Sequence, residues 1–151
     1  MEPELVHVRY PKTLSQHDQD EIFDLLDRLG VAAEIGAFDG RRTGTAVELW
    51  TLLVVVPLAT YSNAFLQKAG ESTWLAVTQA AKRVALARRE RAAGEPLLII
   101  EIKDHQTSFE FPSELDLDAR LAIVRLLREQ GPAAAGRYRW HAARRSWQRA
   151  D

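Results

Sequence analysis

Cysteine does not occur in the 151 residues, which excludes disulfides, thiolate zinc sites and cysteine nucleophiles together and suits a reducing compartment. An excess of one charge is also missing: 20 Lys and Arg stand against 21 Asp and Glu, a formal charge of -1. That removes any whole-molecule argument for nucleic acid or an acidic membrane and leaves only local patches to consider. The 8 glycines stand singly, so there is no glycine-rich phosphate loop, and no serine lies in a nucleophile-elbow pattern. The opening MEPELVHVRY carries acids where a secretory signal has a basic end, and its apolar letters are too few and too spaced. A cytoplasmic protein is expected, and the abundance of Arg and Ala fits a bacterial coding background.

What is present is ordinary globular material, 46% apolar and 27% charged, and 151 residues make one domain of normal size. The unusual stretch is Leu49 to Gln67, which has no charged side chain. Thr45 and Glu48 form a capping box ahead of it, predicting that the segment begins as a helix, and Pro57 inside it predicts a kink or break near Val54 to Leu58. Trp74, Val77, Ala81 and Val84 mark a following helix that ends among Arg88, Arg89 and Arg91, where cations complement the helix dipole.

The flanking chain has clearer periods. Leu5 to Tyr10 alternates as a strand with Val6, Val8 and Tyr10 inward. Ser15 and Asp18 begin a helix carrying Ile22, Phe23, Leu26 and Leu29, with Gly30 as its stop. Val31 to Phe38 suits a second strand. Leu97 to Ile102 is apolar enough to be central, and Thr107 to Phe111 returns as its hairpin partner, with Phe109 and Phe111 on one face and Ser108 and Glu110 on the other. Leu117, Leu121, Val124 and Leu127 follow a helical period up to Gly131 and Pro132. Last, Tyr138 and Trp140 alternate inward against Arg137, Arg139 and His141, and Trp147 sits on a short final strand. The expectation is α+β: a small, mostly antiparallel sheet in the order β-α-β-α-α-β-β-α-β, with helices on one face and an apolar helical pair inserted at about 45–93, all in a single domain 1–151.

Three uses of the apolar segment stay open. It is a buried core helix, a surface for a protein partner or self-association through Trp50, Leu53, Val54, Pro57, Leu58, Tyr61 and Phe65, or, near the roughly 20 residues needed to cross a bilayer, a membrane span. A second candidate is the basic patch of Arg88, Arg89, Arg137, Arg139, Arg144 and Arg145. Interleaved with Tyr138, Trp140 and Trp147, these arginines have the charge and stacking faces used on single-stranded nucleic acid, and an acidic protein would use the same arginines. A solvated strand face and a helix end with dipole-matched cations are the simpler account of them. His17 with Asp20 or Glu21 has ligand spacing on a helix, but acids in a first turn are expected from the dipole alone. His7, His105 and His141 have no carboxylate at a telling distance in sequence. No catalytic residue, metal or cofactor is expected.

The run ELVHVRY, DEIFDLLDRLG, LLVVVPLATYSNAFL, LLIIEIKDHQTSFEF and DLDARLAIVRLL resembles the effector-associated constant component family of bacterial conflict systems. That resemblance implies a non-catalytic adaptor, a companion subunit that couples a partner protein to a larger assembly. It carries over no site residues.

Overall fold

A computed structural model of the chain describes residues 6–11, 14–27, 33–37, 51–61, 70–87, 96–103, 106–111 and 117–149. The elements are β1 (Val6–Tyr10), α1 (Gln16–Leu26), β2 (Ala33–Ala37), β3 (Leu52–Val56), α2 (Leu58–Tyr61), α3 (Gly70–Ala87), β4 (Leu98–Ile102), β5 (Thr107–Phe111), α4 (Leu117–Gln130), a 3-10 turn (Gly131–Ala134), β6 (Gly136–His141) and β7 (Ser146–Arg149). Among the described residues, seven strands form one sheet in the order β2-β1-β3-β4-β5-β6-β7.

The sheet is mixed, and this corrects the expectation of mostly antiparallel pairing. The pairs β1/β2, β3/β4 and β5/β6 are parallel, and β1/β3, β4/β5 and β6/β7 are antiparallel. Each parallel pair has helix between its two strands in sequence, because parallel neighbours need a long crossover. Three β-α-β units therefore lie side by side, joined through antiparallel contacts.

The charge-free stretch is the second correction. Leu52–Val56 is a central strand, flanked by β1 and β4, where a helix was expected. LLVVV is rich in β-branched residues, has no 3.6-residue period, and has four of its five side chains buried with Val55 half-buried, which is how a central strand reads. Pro57 ends the strand and starts the short α2, whose Tyr61 amide donates to the Pro57 carbonyl at 2.9 Å. The order gains a strand there, and β7 is the short final strand expected around Trp147. The Thr45 and Glu48 box, Leu29 and Gly30 lie outside the described residues.

Side chains alternate across the sheet. One face carries Val6, Val8, Leu52, Val54, Val56, Leu98, Ile100, Ile102, Phe109 and Phe111, all buried. The helices cover it. Ile22 and Leu26 of α1, Trp74, Val77, Ala81 and Val84 of α3, and Ile123 and Leu127 of α4 share one core cluster with these strands. Trp74 meets Phe111 at 5.5 Å between ring centres, and the Trp147 ring packs edge-on against Phe109 and Phe111 at 5.0 and 5.1 Å. Ser15 caps α1 as expected, its Oγ accepting from the Asp18 amide at 3.2 Å. Gly131 follows α4 with φ 54, the left-handed geometry that glycine adopts without strain.

Candidate functional site

The other face of the sheet has two rows of side chains set by the strand register. One row runs Glu34, His7, Val55, Glu101, Ser108, Arg137, and the next runs Gly36, Arg9, Leu53, Ile99, Glu110, Arg139, Gln148. Polar residues alternate here with the core residues of the opposite face, as period-two patterning requires.

Ion pairs order both flanks. On the β1–β2 side, Arg9 donates to Glu34 Oε1 at 2.6 Å and to the Val8 and Glu34 carbonyls at 3.1 Å each. His7 Nδ1 lies 3.7 Å from the second oxygen of the same carboxylate. On the β5–β6 side, Glu110 accepts from Arg137 at 3.1 Å through one oxygen and from Arg139 at 3.3 Å through the other. The Glu110 side chain is 10% exposed, whereas those of Arg137 and Arg139 are 51% and 47% exposed. One sunken carboxylate thus holds two raised guanidinium groups in fixed positions.

Between the flanks lie the half-buried Val55 and Ile99, beside the buried Leu53. Glu101 is set between Val55 and Ser108, and burial pushes its carboxyl pKa up from the usual range. No cation among the described residues pairs with it. Both halves of this face were present in the sequence as alternation, but their assembly into rows depends on the strand order.

The nominated apolar residues have another fate. Leu53, Val54, Pro57 and Tyr61 are buried within the chain itself and Leu58 is half-buried, while Trp50 and Phe65 lie outside the described residues. Val54 and Tyr61 have no exposed surface, so they offer a partner nothing to touch. The Tyr61 hydroxyl donates to the Arg120 carbonyl at 2.7 Å, and burial drives its pKa upward. No helix of the described residues is long and apolar enough to cross a membrane.

The arginines divide. Arg137 and Arg139 face outward on β6, Arg144 and Arg145 stand exposed in the tight turn before β7, and Arg88 and Arg89 lie outside the described residues. Arg145 reaches Asp118 of α4 at 2.9 Å. The aromatic residues interleaved with them point the other way: Tyr138, Trp140 and Trp147 are 4%, 4% and 8% exposed. They pack beneath α4 and are not free to stack on bases. This corrects the pairing of charge with stacking faces, which took neighbours in sequence for neighbours on a surface.

The described histidines stand apart. His7 is on the open sheet face beside Glu34, His17 is on α1 with Glu21 at 3.0 Å, and His141 ends β6. His105 lies outside the described residues. Among the described residues no group of three potential metal ligands comes together.

Compared with protein-family models, curated proteins and solved structures, the chain matches none.

Proposed function

We propose that this chain is a non-enzymatic protein-interaction module, docking through the sheet face that none of the described helices covers. The observation that supports this is the division of the sheet. Helices cover one face, while the other keeps half-buried Val55 and Ile99 between two sets of preordered ion pairs. An apolar centre with a polar, charged rim is the usual anatomy of a protein interface. Ordered charges there set orientation and reject wrong partners. A companion subunit of a larger bacterial assembly, the role that the family resemblance implies, would use such a face. The burial of all three rings weighs against single-stranded nucleic acid as the ligand.

The test compares three chains in cells of the protein's own origin, by crosslinking and capture: the wild type, Val55→Lys on the open face, and Leu86→Glu on the outer surface of α3, where Leu86 is 75% exposed. Lysine at 55 falls beside Glu101, so the change keeps a favourable local charge. A defined protein should be held by the wild type and by Leu86→Glu and be lost from Val55→Lys. Retention by Val55→Lys, or no protein held by the wild type, would contradict the reading.

A further inference from the structure

The β6–β7 hairpin carries Arg137, Arg139, Arg144, Arg145 and Arg149 and no Asp or Glu between Gly136 and Arg149. Glu110 pairs with Arg137 and Arg139, and Asp118 with Arg145. Arg149 donates to the Ala135 carbonyl at 2.9 Å, and Arg144 has no ion-pair partner among the described residues. We infer that the open-face side of this hairpin, Arg137 and Arg139 with Arg144 at its tip, docks an acidic segment of the partner protein. This rests on the interaction-module reading above and assigns the chemistry of the partner.

The geometry supports it in three ways. First, Arg137 and Arg139 each reach Glu110 through one terminal nitrogen. A guanidinium has five N–H donors in a fork matched to carboxylates, so each retains donors for a second, external carboxylate. Second, the one charge of the sunken Glu110 is shared between two guanidinium groups, so the pair keeps a net positive charge at the surface. Third, the arrangement distinguishes its ligand. Phosphate would fit the guanidinium groups too, but single-stranded nucleic acid binding draws on exposed aromatic faces, and here Tyr138, Trp140 and Trp147 face the core. Arginines do guard sheet edges against aggregation, yet Arg137 and Arg139 lie on β6, which β7 already covers as the edge strand.

A fluorescein-labelled deca-glutamate peptide serves as the probe, with anisotropy read over a salt series and with oligothymidylate and duplex DNA titrated in parallel. The peptide should bind the wild type, more weakly as salt rises. Arg139→Glu and Arg144→Glu should each weaken it on the order of tenfold, and Glu110→Gln should strengthen it by removing the internal competitor. Arg144→Glu, at an exposed turn, keeps the test intact should Arg139→Glu fold poorly. No peptide binding, weakening by Glu110→Gln equal to that by Arg139→Glu, or tighter binding of either nucleic acid would overturn the assignment. If the captured protein is lost from Val55→Lys but kept by Arg139→Glu and Arg144→Glu, the acidic-partner inference fails while the interaction module stands; if all three keep it, both fail.

Discussion

Trp147 donates its indole N–H to the carbonyl of Ala119 at 3.0 Å, tying the last strand of the sheet to the first turn of α4. The same ring sits against Phe109, Phe111 and Trp140. On its hidden face the hairpin that carries the exposed arginines is therefore anchored by Trp147 together with the buried Tyr138 and Trp140.

Trp147→Ala should cost about 3–5 kcal/mol, the range for deleting a large buried aromatic, and Trp147→Phe about 1–2 kcal/mol, chiefly the hydrogen bond and the unfilled volume. Urea denaturation measures both. Amide exchange should quicken in β6 and β7 before it does in β3 and β4; uniform quickening would show that the anchor is not local.

Tyr61 gives a stability signature at high pH. Its hydroxyl is buried against the Arg120 carbonyl, and its pKa lies well above the ordinary value of 10.0. The folded state resists ionisation that the unfolded chain undergoes, so the contribution of this group is full below the unfolded pKa and falls as pH rises past it. Tyr61→Phe should cost about 1–2 kcal/mol at neutral pH, the cost of the lost bond. The gap between the two chains should narrow above pH 10.0; a constant gap would contradict the account.

Glu101 should show the opposite benefit on removal. Burial raises its carboxyl pKa above that of the unfolded chain, so its charged form opposes folding once the pH exceeds the unfolded value, about 4.3. Glu101→Gln should raise the urea midpoint at neutral pH, and the gain should vanish as the pH falls below about 4. A midpoint unchanged at neutral pH would mean that water reaches the carboxylate freely.

Val54 separates a core role from an interface role. It lies in β3 with no exposed surface, so Val54→Ala should lower stability by about 2–3 kcal/mol, near the lower end for large-to-small core changes. Light scattering should give the same molar mass for both chains, because no partner surface is removed. A change of molar mass with unchanged stability would place the residue in an interface.

Much of the fold was legible locally. Ser15 with Asp18, the Trp74 to Val84 stripe, the β4–β5 hairpin with Phe109 and Phe111 on one face, and the inward Tyr138 and Trp140 follow from spacing and side-chain type alone. These signals lie within one element, where a period of 2 or 3.6 is complete. Leu52 to Val56 failed because an uninterrupted apolar run has no period, and its neighbours β1 and β4 lie far away in sequence. The parallel pairings failed for a related reason: a helix between two strands does not say which neighbour the second strand will join.

What the amino-acid order determined by itself is which faces repel water: alternation places Arg137 and Arg139 opposite Tyr138 and Trp140 in any sheet that contains β6. Only the tertiary arrangement decided that Glu110, 27 residues before Arg137, would sit beneath both arginines, and that Val55, Glu101 and Ser108 would form one row. Strand register is a long-range choice, made by hydrogen bonds and packing between segments that carry no local record of each other.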